Sequence, residues 1–329
     1  EGVSLNVYAN VEIGNDDTST PPNSFSTQKY GIRANLAYFI NLRRNNISAC
    51  DAGISIRNSN TPINGLPAFG TANIRHNTLN NNRIGIQAFG ANLEIIHNTI
   101  DGNFTNPAQP RIGLFIGGSQ FAVSNNNNLP NGNTIINQLV GAFITSNETT
   151  INHLRNNQFQ NCFLPIWTFG ANGFANDTDP TGVNITCNEF DQYAVAIQTA
   201  QATNPIYGTN NRLNDQGDCL PINPHPADNT FFQTAVFDGI LPDVSSSLPA
   251  SAAYTYYYRA GTSFTPQAAG AVNTFLCNGA INSCQYPLLA NSAIQQMTDT
   301  DPKNRAAIDK MYFYLHDEND SIRNIAAVV

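Results

Sequence analysis

The chain has 329 residues, with 15 Lys and Arg against 23 Asp and Glu, which gives a formal net charge of −8. Because its basic residues are few and scattered, the chain lacks the basic stripe that nucleic acid phosphates require, and no nucleic acid partner is expected. No apolar run reaches the roughly 18 residues that a membrane-spanning helix needs, so no membrane span is expected.

The first predicted element is a strand, since every second residue from Leu5 to Ile13 is apolar. Glu1 opens the sequence without an initiator Met or a signal peptide. We therefore expect the chain to begin inside a larger or processed protein.

An asparagine-based repeat follows this strand. Each repeat asparagine, called n below, stands two residues before an apolar residue, and most stand eight residues before a glycine or another small residue. Apolar residues also recur at n−3, n+9 and n+11, and such period-two pairs predict strands with one buried face. The repeat asparagines are Asn23, Asn45, Asn77, Asn98, Asn133, Asn157 and Asn188, and a weaker eighth unit is placed at Asn211.

The repeat predicts a solenoid. Successive asparagines are separated by 21 residues (Asn77 to Asn98) to 35 residues (Asn98 to Asn133), which is typical of a coil of about 20 residues with loops inserted at fixed corners. Gly, Asn and β-branched residues are poor helix formers. We therefore predict an all-β fold, a right-handed parallel β-helix of about eight coils. The asparagine amides should pair along one corner, with left-handed backbone at the asparagines.

Two stretches carry a family resemblance, "NIRHNTLNNNRIGIQAF" (Asn73 to Phe89) and "LEIIHNTIDGN" (Leu93 to Asn103). They resemble the repeats of the pectate-lyase-like superfamily, and most of all bacterial secreted β-helix repeat proteins. The later segments "NTFFQ" (229–233) and "YTYYYRAG" (254–261) are similar to the tail of β-helix proteins exported to the surface of Bacteroidota-type bacteria. The resemblance implies an extracellular or bacterial cell-surface location, and a lyase, hydrolase, epimerase, tailspike, adhesin or stalk function.

Three regions are predicted in chain order. Residues 1–225 form the parallel β-helix. Residues 226–290 form a capping β segment, because an uncapped solenoid exposes unpaired backbone at its end. Residues 291–329 form a short terminal helix, which starts at the N-cap pair Asp301 and Pro302 and links to a further region.

The cysteines divide into two groups. Cys50 and Cys162 occupy the same repeat position four coils apart, about 19 Å at the usual strand spacing, and cannot bond to each other. We predict a disulfide between Cys277 and Cys284, with two free thiols as the alternative. No Cys or His spacing typical of a metal site occurs.

Position n+10 must point outward, and it holds Phe115, Phe143 and Trp167 in three successive coils, where the unit of Asn98, which carries an insertion, is counted from Gly113 at n+8. Exposed aromatics stacked in this way predict a flat ligand-binding strip for a polysaccharide or a surface protein. The alternative is that a loop, either 103–111 or 170–182, covers this strip. Three further phenylalanines in recurring turns are interpreted as corner packing: Phe69, Phe89 and Phe169.

A second outward face contains Arg75 and Glu94, the candidate catalytic residues. In related lyases such a face binds acidic sugars, and a basic residue removes the proton next to the uronate carboxyl group. That chemistry needs clustered acids, whereas Glu94 is nearly alone, and no carboxylate pair suited to glycoside hydrolysis occurs. A polysaccharide lyase or hydrolase acting on acidic glycans is therefore the alternative function.

His76 and His97 share position n−1 in adjacent coils, which makes them the candidate metal ligands. No third ligand accompanies them, so we interpret them as exposed corner residues. The acidic loops Asp177–Asp179 and Asp317–Asp320 are candidates for calcium, but they lack the spaced EF-hand pattern, and no cofactor is expected.

These patterns predict a secreted or surface-exposed structural and binding β-helix. It would contact a glycan or another protein through the outward aromatic strip. A third function is a fibre-forming subunit that self-associates through the solenoid ends.

Overall fold

The computed structural model describes residues 2–6, 10–15, 17, 19–35, 39–57, 71–103, 111–123, 132–145, 151–173, 182–202, 212–219, 226–232, 241–278 and 284. In these ranges the chain forms three long sheets of parallel strands and no α-helix. Through most of the solenoid, successive coils contribute one strand to each sheet, so the predicted parallel β-helix is confirmed. The terminal helix predicted for 291–329 lies outside the described residues.

The three long sheets stack along the solenoid and contain ten, seven and eight strands. The ten-stranded sheet contains β1 (Val3–Asn6), β4 (Tyr30–Asn35), β7 (Ala52–Arg57), β10 (Ile84–Phe89), β13 (Ile112–Gly117), β16 (Val140–Thr145), β19 (Leu164–Phe169), β23 (Ile197–Ala200), β26 (Val244–Ser246) and β28 (Ala268–Gly270). The seven-stranded sheet contains β2 (Asn10–Ile13), β5 (Phe39–Arg43), β8 (Thr71–Arg75), β11 (Asn92–Ile96), β14 (Gln120–Val123), β17 (Ile151–Arg155) and β21 (Gly182–Thr186). The eight-stranded sheet contains β3 (Asn23–Ser26), β6 (Asn45–Ser48), β9 (Thr78–Asn80), β12 (Thr99–Asp101), β15 (Thr134–Ile136), β18 (Gln158–Cys162), β22 (Glu189–Tyr193) and β25 (Thr230–Phe232).

Two small sheets complete the described fold. One pairs β20 (Ala171–Asn172) with β24 (Arg212–Leu213), and the other pairs β27 (Tyr254–Arg259) with β29 (Val272–Cys277). A single 3-10 turn at Ala250–Ala252 precedes β27. The long sheets extend beyond residue 225, where the sequence pattern places the end of the solenoid, because β25, β26 and β28 still pair with them.

The amides of the asparagine ladder run along one corner of the solenoid without a break. Each side-chain Nδ2 donates to the Oδ1 of the next ladder asparagine at 2.9–3.1 Å. The ladder consists of Asn23, Asn45, Asn77, Asn98, Asn133, Asn157, Asn188 and Asn229. The predicted amide pairing is confirmed. The ladder continues at Asn229, whereas the proposed start of an eighth unit at Asn211 lies outside the described residues.

Left-handed backbone occurs next to the ladder asparagines, and the prediction that it occurs at them is wrong. At position n−1, φ is 50° at Arg44, 56° at His76 and 54° at His97. A second set of residues at n+4 includes Asn81, with φ of 54°. Because the ladder amide is held by several hydrogen bonds with backbone groups, the sharp turn is taken by the residue before it. The side chain of that residue is at least partly exposed at Arg44, His76 and His97 and buried at Asp228.

The n+8 glycines have a packing cause. A Cβ atom at Gly85 would lie 2.6 Å from the carbonyl oxygen of Gly113 and 2.5 Å from Cγ2 of Ile100. Contacts this short cannot occur without moving backbone. The glycine therefore makes room for the apolar n+2 side chain of the following coil, which is why both positions recur together in the repeat.

Aliphatic side chains fill the bore of the solenoid through most of its length, and aromatic rings fill its C-terminal coils. Phe159 stacks on Phe190 at 5.5 Å between ring centroids, and Phe190 stacks on Phe231 at 5.6 Å. Tyr256 of β27 follows at 6.1 Å. The aromatic column thus connects the last coils to the C-terminal β27–β29 pair.

The disulfides differ from the sequence prediction. The structure joins Cys187 to Cys284 and Cys219 to Cys277, with Cα–Cα distances of 5.6 and 5.4 Å, and the predicted bond between Cys277 and Cys284 does not form. Cys187 occupies the n−1 corner of a late coil, so its bond ties the residues after β29 to the solenoid. The reason for the difference is tertiary: the fold brings together cysteines that are 97 and 58 residues apart in the sequence, so the cysteines nearest in sequence are not the ones that bond.

Cys50 and Cys162 are buried free thiols. Burial raises the pKa of Cys162 to about 12, and burial also raises that of Cys50. Both thiols therefore stay protonated and unreactive at neutral pH. They form no disulfide with each other, as their predicted separation along the stack requires.

Asp243, just before β26, is a buried carboxylate in the last coils. It accepts a hydrogen bond from the hydroxyl of Tyr193, and its Oδ2 accepts a second from the backbone N–H of Gln267 at 2.8 Å. Burial raises the pKa of Asp243 above its ordinary value, against the opposing effect of the two hydrogen bonds. The folded state therefore favours the protonated form more than the unfolded chain does.

This burial predicts a pH effect on stability. Because the folded pKa is raised, the stabilising contribution of Asp243 is fully present below the ordinary aspartate pKa of about 3.9 and is lost as the pH rises through the raised value. The variant Asp243→Asn should lack this loss. The difference between its free energy of unfolding and that of the wild type should therefore shift in favour of the variant as the pH rises. Urea unfolding over a pH series measures the difference, and Tyr193→Phe should extend the loss to higher pH. Parallel profiles of wild type and Asp243→Asn would contradict the assignment.

Candidate functional site

The outer face of the ten-stranded sheet carries the n+10 residues in register, as predicted. The strands pair Gln87 with Phe115, Phe115 with Phe143, Phe143 with Trp167, and Trp167 with Gln198. The three aromatic side chains are partly exposed. An unbroken row of aromatic residues therefore crosses the middle of this face, with a glutamine at each end.

The rings of this row do not form a flat strip. The centroids of Phe115 and Phe143 are 5.1 Å apart at an interplanar angle of 84°, and those of Phe143 and Trp167 are 5.1 Å apart at 90°. Edge-to-face pairs of this kind stabilise each other by about 0.5–1.5 kcal/mol. The expectation of a flat platform is wrong, because neighbouring rings 5.1 Å apart turn to place an edge against a face.

Two residues that the sequence pattern assigns to corner packing belong to the same surface. Phe89 lies 5.0 Å from Phe115 in an edge contact, and Phe169 lies 6.0 Å from Phe143 and 6.1 Å from Trp167. Both occupy n+12, which has the same outward parity as n+10, and that parity was the missed signal. We call Phe89, Phe115, Phe143, Trp167 and Phe169 the aromatic cluster.

Small residues make room for the added rings. Gly117 follows Phe89 in the n+12 row, and a Cβ atom there would lie 3.0 Å from two atoms of the Phe89 ring.

The indole Nε1 of Trp167 is buried and has no acceptor among the residues that the structure describes. The loops expected to cover the strip, 103–111 and 170–182, lie largely outside the described ranges.

Arg75 and Glu94 form an ion pair on the outer face of the seven-stranded sheet, with Nη2 and Oε2 2.5 Å apart. Their side chains are 11% and 5% exposed. In the register, Asn73 and Ala122 stand on either side of Glu94. Neither neighbour is acidic, so this geometry assembles no carboxylate pair around the candidate catalytic residues.

His76 and His97 stack face to face across adjacent coils, with ring centroids 5.1 Å apart and an interplanar angle of 6°. Within the described ranges, no group of three His, Cys, Asp or Glu side chains is placed to hold a metal ion. The acidic loops proposed for calcium, Asp177–Asp179 and Asp317–Asp320, lie outside those ranges.

A helix long and apolar enough to cross a membrane is absent from the part of the chain that the structure describes. A scan against protein-family models finds no matching family, and searches of curated proteins and of solved structures find no matching protein.

Proposed function

We propose that this protein is an extracellular binding β-helix whose aromatic cluster contacts a glycan or a surface protein. The observation that carries the proposal is the cluster itself: five aromatic rings in mutual contact on the outer face of a sheet, each only partly buried. Partly exposed aromatic patches of this size on a solvent-facing surface are typical of recognition sites.

Two further features support this function. Two disulfides close the C-terminal part of the chain, and disulfides persist mainly in secreted and surface proteins. A parallel β-helix is a rigid scaffold, because each coil is fixed by its neighbours along three sheets. A rigid scaffold preorganises exposed rings and lowers the entropy cost of binding.

The buried Arg75–Glu94 pair supports a structural role for these two residues on the seven-stranded sheet. A proton-abstracting arginine has to reach substrate, whereas Arg75 is held against a buried carboxylate. The catalytic role of this pair and the assembly of fibres remain predictions.

The test of the proposal is a binding screen against a panel of immobilised polysaccharides. We expect Trp167→Ala and Phe143→Ala to weaken binding about tenfold or more, since truncating a central aromatic side chain commonly costs at least about 1.4 kcal/mol. Phe275→Ala is the matched control, because Phe275 is 53% exposed and lies on β29, outside the ten-stranded sheet. Circular dichroism should show an intact fold in all three variants. Equal binding by Trp167→Ala and wild type would remove the cluster as the contact surface.

A further inference from the structure

The ten-stranded sheet is free of acidic residues. Its ten strands, as the structure describes them, contain no Asp or Glu, although the chain has 23. The strands of the seven-stranded sheet carry Glu12 and Glu94, and those of the eight-stranded sheet carry Asp101, Glu189 and Asp191. In an acidic protein, one face of the solenoid therefore lacks the negative charge that the other two faces carry.

Basic side chains occupy the N-terminal coils of this same face. Arg33 of β4 lies with its guanidinium 5.0 Å from the ring centroid of Tyr30, and Lys29 places Nζ 5.7 Å from the same ring. Arg57 of β7 lies 5.6 Å from the ring of Phe89, the first member of the aromatic cluster. The basic group and the aromatic cluster therefore form one continuous surface.

Lys29, Arg33 and Arg57 form no ion pair with any carboxylate among the described residues. Asp51, which directly precedes β7, pairs with another cation, since its Oδ1 lies 3.7 Å from Nε of Arg83. The positive charge of this surface is therefore available to a partner, at a place where the protein presents little negative charge of its own.

We propose that the outer face of the ten-stranded sheet binds an acidic polysaccharide that lies along the solenoid axis. This inference rests on the proposed function and names its ligand class. Carboxylate or sulfate groups would pair with Lys29, Arg33 and Arg57, and sugar rings would lie against the aromatic cluster. From β4 to β19 the surface spans five strand-to-strand steps, roughly 24 Å at about 4.8 Å each, which accommodates several sugar units of one chain.

A polysaccharide fits this surface better than a single-stranded nucleic acid, the other polyanion that combines basic and aromatic contacts. Bases bind such sites by stacking on open ring faces. Here the centroids of Phe115, Phe143 and Trp167 follow one another at 5.1 Å with near-perpendicular planes, so each ring covers part of the face of the next. Sugar C–H groups carry a small positive charge and pack against ring faces, and a pyranose needs only the part of a single face that stays exposed.

The experiment compares binding of polygalacturonate and chondroitin sulfate with binding of neutral dextran and of single-stranded DNA, over a range of salt concentrations. We expect the acidic glycans to bind more tightly than dextran, with affinity that falls as salt rises. The double variant Arg33→Ala/Arg57→Ala should lose at least about tenfold in affinity for them at low salt and show a weaker salt dependence. Arg212→Ala is the control, because Arg212 lies on β24, outside this sheet.

The outcomes separate the two proposals. Dextran binding that Trp167→Ala abolishes and the double arginine variant leaves unchanged would overturn the acidic ligand and keep the aromatic contact surface. Preferential binding of single-stranded DNA would also overturn the acidic glycan. Failure of every glycan to bind would overturn the acidic polysaccharide and leave a surface protein as the partner in the proposed function.

Discussion

Replacing Asn98 by Asp should unfold or severely destabilise the protein. Asn98 is 1% exposed, and its Oδ1 accepts the backbone N–H and the Nδ2 of Asn77 at 2.9 and 3.0 Å. Its own Nδ2 faces three acceptors, the carbonyl oxygens of Ile74 and Ile96 and the Oδ1 of Asn133, at 2.8 to 3.0 Å. The isosteric carboxylate would turn these three attractions into repulsions at a buried site. We expect a loss of at least about 3–5 kcal/mol.

Urea unfolding followed by circular dichroism measures this effect, with Asn98→Ala as a second variant that removes the hydrogen bonds without adding charge. The matched control is Asn46→Ala. Asn46 follows the ladder residue Asn45 on β6, but its side chain is exposed. Its expected change is within about 0.5 kcal/mol. A small effect at Asn98 would mean that the stack does not depend on its amides.

Removing the bond between Cys187 and Cys284 should cost about 2–5 kcal/mol. This disulfide closes a sequence separation of 97 residues, and a cross-link of that length strongly restricts the unfolded chain. The double variant Cys187→Ser/Cys284→Ser avoids a lone thiol and should unfold at a lower urea concentration than the wild type.

The control for this prediction is the double variant Cys50→Ala/Cys162→Ala, which removes two buried cysteines that form no disulfide. Reductant should destabilise this control as much as the wild type, because both disulfides remain in it. Peptide mapping under non-reducing conditions then identifies the partners directly. A cross-linked peptide joining Cys277 to Cys284 would show that the C-terminal segment pairs its cysteines locally.

The stack could be predicted from the sequence because its determinants are local and repeated. The ladder amide, the apolar n+2 side chain and the n+8 glycine contact one another in adjacent coils, so each leaves its own periodic trace. The register of the n+10 row follows once the asparagines are aligned. Phe115, Phe143 and Trp167 were therefore placed correctly on one outward row.

Features that depend on the packing between rings or on distant segments could not be predicted in this way. The spacing from Asn188 to Asn229 is 41 residues, longer than any other, and the eighth residue after Asn229 in the sequence is Phe instead of Gly or another small residue, so the repeat pattern is weak here. The left-handed corner at n−1 accepts residue types as different as Arg44 and Cys187, which leaves no compositional signal. Edge-to-face ring packing depends on side-chain rotamers, which alternation does not specify.

The ladder has a direction, and this gives the molecule a defined terminus. Each asparagine-to-asparagine hydrogen bond runs from the Nδ2 of one coil to the Oδ1 of the next coil toward the C-terminus, and the Nδ2 of the last ladder residue, Asn229, donates to the phenol oxygen of Tyr256 at 2.8 Å. Tyr256 is fully buried on β27, where its ring follows that of Phe231 in the aromatic column of the bore. The ladder hydrogen bond has the same donor and acceptor at every step upstream of this phenol, so we expect that a coil could be added or removed there while the terminator stays the same.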